Sequence, residues 1–242
     1  MTRNPHAPLQ ILLAAACLLA TGCKPTPATQ NSETYDSNTA KPHPVAVHTA
    51  ADSTPPPTDT RPVIVCLGDS LTAGYGADPG QSYPDFLQRD LDAAGYHYHV
   101  VNQGISGDTT KDALARVDEA IVLHPTVTIV ELGGNDGLRG LRPEDTRATL
   151  DAILARLQPT GTKIVLAGIT LPPDYGPDYI KQFTAMYTTL AKKYRVPLLP
   201  FLLKDVYGVP GSMQADKTHA TAQGNQQVAK NLLPYVQPLL KK

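Results

Sequence analysis

Four short blocks bring together residue types that could carry out acyl transfer. Ser70 lies in GDSLTAGYG (68–76), Gly107 in GISGDTT (104–110), Asn135 in GGNDGLRG (133–140), and Asp216 and His219 in DKTH (216–219). A serine hydroxyl is a poor nucleophile until a base takes its proton. His219 can be that base, and Asp216, three residues earlier, can orient it. An oxyanion developing on the attacked carbonyl needs N–H donors aimed at it. The Asn135 side chain and the backbone N–H groups of Ser70 and Gly107 are candidates. Taken singly, each block has an ordinary structural explanation. Gly-Asp-Ser is common in turns, Gly-Gly-Asn-Asp makes a loop, Gly107 opens a helix, and a C-terminal histidine is often a surface residue. Their order, with each block following an apolar run, favours the chemical reading.

The elements that must position these blocks begin at Pro62. Five apolar runs read as strands: VIVCLG (63–68), YHVVNQ (98–103), TVTIVELG (126–133), KIVLAGI (163–169) and VPLLPF (196–201). Helix-period segments alternate with them. Residues 82–95 start with Ser82 as a cap, Pro84 in the first turn and Asp85 near the positive end of the dipole. Residues 109–123 place Leu114, Val117 and Ile121 on one face. A third helix stops at Pro159, a fourth covers 179–194, and a fifth covers 222–236 with a disturbance expected at Pro234. Near-continuous apolar strands alternating with helices imply a parallel sheet covered on both faces. Ligands of such sheets bind beyond the carboxyl ends of the strands, which is where the four blocks fall.

Composition narrows the function classes. The chain has 242 residues, with 21 Lys+Arg against 22 Asp+Glu. That balance gives no basic footprint for nucleic acid. The three cysteines, Cys17, Cys23 and Cys66, form no Cys-x-x-Cys pair, which argues against a thiolate metal site or a disulfide framework. Residues 1–22 read as a signal peptide: Arg3 and His6 precede an apolar stretch too short to span a bilayer comfortably. Its end, Leu19-Ala20-Thr21-Gly22-Cys23, resembles the bacterial lipoprotein box, which predicts lipidation at Cys23. Ala20 stands where that box usually has Leu, and an ordinary cleaved signal peptide is the other reading. Residues 24–61 are rich in Pro, Thr, Ser, Ala and Asn and cannot bury enough apolar surface to offset ordering. They read as a linker from Cys23, followed by a domain over 62–242.

The four blocks, in this order, resemble blocks I, II, III and V of the SGNH (GDSL) hydrolases. SGDTT, ELGGNDGLRG and VPLLPF are especially similar to the periplasmic acyl-thioesterase, lysophospholipase and arylesterase subgroup of Gram-negative bacteria. The likeness runs over about 62–240. It implies an α/β fold, a flavodoxin-like three-layer sandwich on a five-stranded parallel sheet. It implies a carboxylic ester hydrolase working without cofactor or metal. Ser70 is then the nucleophile, His219 the base and later the acid, and Asp216 its orienter. The Ser70 amide, Gly107 and Asn135 form the oxyanion hole. Two positions depart from the family: Ala220 stands where proline usually follows the histidine, and Thr218 replaces an aliphatic residue. Without the proline, the His219 loop is expected to be less rigid.

The substrates this implies are acyl esters, thioesters or lysophospholipids, with Leu138, Leu141 and Leu171 as candidates for an apolar acyl-chain wall. Carbohydrate O-acetylesterase activity on the same fold is the runner-up, and an inactive acyl-binding lipoprotein is the non-enzymatic alternative. No Gly-x-Ser-x-Gly elbow, G-x-G-x-x-G or GK[ST] pattern supports an α/β-hydrolase, Rossmann or P-loop reading. His97 and His99, on one face of a strand, suggest a metal-dependent deacetylase only weakly. The expected location is the periplasmic side of a Gram-negative envelope, anchored in the outer membrane because Lys24 rather than aspartate follows Cys23. A soluble periplasmic or secreted protein is the alternative.

Overall fold

The computed structural model describes residues 59–242. The expected signal peptide, Cys23 and almost all of the linker therefore lie outside the described residues. Five parallel strands form one sheet in the order β2-β1-β3-β4-β5. They are β1 (Val63–Gly68), β2 (His99–Gly104), β3 (Val127–Glu131), β4 (Lys163–Ala167) and β5 (Leu198–Leu199). β1, β3 and β4 are mostly apolar because both faces are covered; Thr128 and Glu131 of β3 are buried polar exceptions, and Lys163 of β4 is exposed. Ile64, Val65, Cys66 and Leu67 have no exposed surface. Burial pushes the Cys66 thiol up to about 12, so it behaves as a small core residue.

The helices are α1 (Ser70–Ala73), α2 (Tyr83–Ala93), α3 (Thr110–Ile121), α4 (Gly134–Leu138), α5 (Pro143–Leu157), α6 (Pro177–Tyr194) and α7 (Ala222–Val236). The strand order reverses direction after β2. Right-handed crossovers then place α2 on one face and α3, α5 and α6 on the other. The contacts agree: α2 packs on α7, α3 on α5, and α5 on α6. Ser82 begins α2 as foreseen, in a capping box with Asp85, and Thr109 with Asp112 does the same for α3. Each such cap contributes about 1 kcal/mol. Leu87 and Leu91 then bury the inner stripe of α2.

Three expectations need correction. β5 is only two residues long, because Pro197 and Pro200 flank it and cannot donate to the ladder. α7 runs through Pro234 to Val236; a proline in the last turn removes little of the helical bonding. His97 is exposed ahead of β2, whereas His99 is the first residue of that strand, with Nδ1 3.3 Å from Asp59. The two histidines therefore share no strand face.

The reversal between β1 and β3 matters most for the site. Loops leaving these adjacent strands diverge to opposite faces and open a crevice at the carboxyl edge. The segments that follow β1 and β3 carry Ser70 and Asn135.

Candidate active site

Ser70 is the first residue of α1, at the abrupt passage from strand to helix. Asp69 caps that helix, its Oδ1 accepting from the Leu71 amide at 3.0 Å. The turn is tight, and Gly68 and Gly104 make it possible. A Cβ on Gly68 would overlap the Thr72 side chain, and one on Gly104 would overlap the Ala73 amide.

From a loop ahead of α7, His219 reaches this turn. Its Nε2 lies 2.9 Å from Ser70 Oγ, and its Nδ1 lies 2.7 Å from Asp216 Oδ2. Asp216 Oδ1 accepts from the amides of Thr218 at 2.9 Å and His219 at 3.0 Å. Partial burial pushes this carboxyl up, but hydrogen bonds from the His219 ring and amide and from the Thr218 amide outweigh it, bringing Asp216 down to about 2. An ionised carboxylate only accepts, so Nδ1 carries the imidazole proton and Nε2 is left to accept from the Ser70 hydroxyl. That is the arrangement a general base requires. The Tyr75 ring covers the imidazole, with centroids 4.7 Å apart.

Asn135 sits in α4, which the sequence reading treats as a loop. Gly133, at φ +112°, lets the chain enter this helix. Asp136 pins it to the start of α3, accepting from the Thr110 amide at 2.8 Å and the Thr110 hydroxyl at 2.6 Å. This holds Asn135 beside the loop of Gly107. Asn135 Nδ2 donates to the Asp108 carbonyl at 2.9 Å and to Asp69 Oδ2 at 3.2 Å. Gly107 has φ +91° with open space where a Cβ would stand. The turn therefore favours glycine for its conformation rather than for room. The backbone N–H groups of Ser70 and Gly107 donate to no partner among the described residues.

Ser70, Asn135 and His219 face a cavity of about 160 Å³ whose other walls include Leu71, Leu138, Ile169, Leu171, Phe201 and Leu203. Leu138 and Leu171 are among the cavity walls, whereas Leu141 is exposed beyond α4 and does not line it. Ile169 and Phe201 escaped the sequence reading, although both follow strand ends, where walls of such a site are built.

Beneath the nucleophile lies a buried acidic pair that the sequence reading also missed. Glu131 Oε2 accepts from Thr72 Oγ1 at 2.8 Å, and the Asp69 amide points at the same oxygen from 3.5 Å. Burial, and then the neighbouring Asp69, raises Glu131 well above the usual range; burial likewise raises Asp69 to about 6.

Comparison with known proteins follows the same lines. The GDSL-like lipase/acylhydrolase family matches residues 66–227. The chain is similar to the esterase TesA of Pseudomonas aeruginosa, 40% identical over 178 residues, covering 73% of this chain and 89% of that one. It is equally similar to the thioesterase 1/protease 1/lysophospholipase L1 of Escherichia coli, 40% identical over 178 residues, with 73% and 84% covered. Among solved structures, a crystal structure of TesA superposes with a TM-score of 0.71 at 40% identity, covering 74% of this chain and 99% of that one.

Proposed function

The chain belongs to the GDSL-like lipase/acylhydrolase family and is a serine ester hydrolase of SGNH fold; from that premise we propose that it cleaves acyl esters, thioesters or lysophospholipids through a Ser70 acyl-enzyme. The observation that carries this reading is the Ser70–His219–Asp216 chain opening directly onto an apolar cavity. Ser70 attacks the acyl carbonyl while His219 Nε2 takes its proton. The oxyanion is received by the N–H groups of Ser70 and Gly107, and by Asn135 Nδ2 once it exchanges its longer bond, to Asp69 Oδ2, for the oxyanion. Collapse of the intermediate expels the alcohol or thiol, protonated by His219. Water, activated by the same imidazole, then releases the acid. Asp216 stays ionised throughout and steadies the imidazolium.

The apolar walls favour an acyl chain over an acetylated sugar, whose hydroxyls would find few partners there. The names of the two curated relatives, an esterase and a thioesterase/lysophospholipase, agree with this choice. We further propose residues 1–22 as a lipoprotein signal, Cys23 as the lipidated residue and residues 24–61 as a spacer that holds the domain over 62–242 at the periplasmic face of an outer membrane. A diacylglycerol with a third chain anchors stably where one chain does not.

A fluorophosphonate should label the peptide containing Ser70, and Ser70→Ala should abolish both labelling and esterolysis. A series of acyl esters and thioesters, lysophosphatidylcholine and acetylated xylan, assayed side by side, separates the substrate classes. Preference for acetylated sugar over an octanoyl ester would overturn the acyl-chain assignment. For the anchor, incorporation of a clickable fatty acid by wild type but not by Cys23→Ser is the expected result; no label in a lipoprotein-processing host would rule it out.

A further inference from the structure

We propose that Gln214 is a positioning residue for the reaction, a clasp that fixes His219 against the turn carrying Ser70. The proposal rests on His219 acting as the base. Gln214 lies at the start of the loop that bears Asp216 and His219. Its side-chain Nε2 donates to two carbonyls, that of Tyr75 at 2.7 Å and that of Ala220 at 2.9 Å. Its backbone amide donates to the His219 carbonyl at 2.8 Å. One residue therefore bonds the backbone of the base, the residue after the base, and the residue whose ring covers the base.

Three further observations single out this contact. First, Ala220 follows His219, so no proline ring limits the backbone there. What holds the loop instead is the antiparallel bridge between Met213 and Ala220 and the Gln214 side chain across it. Second, the loop contains Lys217 at φ +57°, a left-handed conformation that a residue with a Cβ holds only when its surroundings enforce it. Third, room has been left for the clasp. Gly76, itself at φ +74°, presents its bare Cα to Gln214, and a Cβ there would overlap Gln214 Oε1. The nucleophile turn and the base loop are thus joined through one primary amide across 139 residues of sequence.

Removing the side chain leaves the Tyr75 and Ala220 carbonyls without this donor. Tyr75 and the following loop are largely exposed, so water can replace that bond; Ala220 is buried, so the loss of its donor carries a small cost, while the Met213–Ala220 bridge keeps the loop folded. Water cannot replace the alignment. A displacement of about 1 Å in a catalytic group can lower the rate about 100-fold.

The test uses the full chain with a soluble short-chain nitrophenyl ester and a fluorophosphonate. Gln214→Ala should lower kcat about 10- to 100-fold and slow phosphonate labelling of Ser70 by a similar factor. KM should stay within about threefold, and Tm should move little. Gln214→Glu, of equal length but aiming a carboxylate at two carbonyls, should do no better. Gly76→Ala should reproduce the loss in the wild-type background. In the Gln214→Ala background it should add much less, because the overlap it creates is gone. That non-additivity is a readout that a merely structural role would not move. A Gln214→Ala enzyme with kcat within about twofold of wild type overturns the proposal, as do strictly additive effects of the two substitutions. If Gln214→Ala does not fold, Gln214→Glu and the Gly76→Ala variant still decide. His219→Ala separates the two readings: activity retained there sinks the assignment of the base, whereas a dead His219→Ala beside a normal Gln214→Ala sinks the clasp alone.

Discussion

Asn135 Nδ2 and Asp69 Oδ2 are 3.2 Å apart, so a donor proposed for the oxyanion and the turn carrying Ser70 are held by one carboxylate. The other oxygen of Asp69 caps the helix that Ser70 begins. Two outcomes are expected. Asn135→Ala should lose about two to three decades in kcat with a smaller change in KM, because the oxyanion is present mainly in the transition state. Asp69→Asn should turn an amide N–H toward the Asn135 amide and swing it away, lowering kcat about 10- to 100-fold through Asn135 alone. Steady-state kinetics of the two single variants and the double variant check this. The double variant should be little worse than Asn135→Ala, and full additivity would mean that Asp69 acts elsewhere.

Arg116 gathers the loops around the nucleophile. Its Nε donates to Asp108 Oδ2 at 2.7 Å, its Nη1 to the Gln103 carbonyl at 3.0 Å and its Nη2 to the Gly68 carbonyl at 3.0 Å. The two charged side chains are only 11% and 12% exposed. Arg116→Ala would strand a nearly buried carboxylate and two carbonyls, and should destabilise by about 3 kcal/mol. Arg116→Lys keeps the charge without the fork and should recover only part of that. Urea unfolding measures both; a loss under about 0.5 kcal/mol for Arg116→Ala would show that solvent already screens the pair.

Acyl-chain preference should follow the cavity wall. Phe201 and Leu171 stand on the loops after β5 and β4, and α4 leaves space for Leu171 because Gly137 has no Cβ to meet its methyls. Phe201→Ala should lengthen the space available. The ratio of kcat/KM for decanoyl over butyryl esters is expected to rise about 10-fold, the scale of a few methylene contacts. Gly137→Ala should press on Leu171 and move the ratio the other way. A ratio unchanged in both variants would place the chain outside this cavity.

Legibility in the sequence followed the range of each interaction. The sheet could be read because apolar runs record burial locally, and the strand ends then pointed to Ser70 and Asn135; Asp216 and His219 stand on the loop ahead of α7, well past β5. Gln214 and Arg116 could not be read, because a glutamine in a loop or an arginine on a helix gives no sign of a carbonyl 139 or 48 residues away. Asp69 looked like a turn residue and Glu131 like the polar end of a strand; only the packing of β1 on β3 puts them together. Leu141 stands outside the cavity, past the end of α4 at Leu138, and nothing in LRGL records where the chain goes there. β5 was overextended because apolar content spoke louder than the two prolines bounding it.

Glu131 gives the molecule an expected pH dependence of stability. It has no exposed surface, and its Oε1 has no partner among the described residues. Burial and then the adjacent Asp69 raise its pKa, and burial raises Asp69 from 3.8 to about 6. When a folded-state pKa is raised, the folded form binds protons more tightly than the unfolded chain. The resulting stability is fully present below the unfolded value and is lost as pH rises through the folded one. For Asp69 the window therefore runs from about 4 to about 6, and for Glu131 it begins near 4.5 and extends higher. The wild-type Tm should fall between about pH 5 and pH 8 on this account. Glu131→Gln keeps an acceptor for Thr72, removes one proton-linked group and takes a like charge away from Asp69. Its Tm should match the wild type near about pH 4 and exceed it at pH 8, by about 2–4 °C for each kcal/mol regained. Scanning calorimetry of both proteins across that range decides the matter. A gap that is constant with pH would mean that Glu131 is no part of the titration, and a gap of opposite sign would mean that the carboxylate is stabilised in the fold rather than tolerated by it.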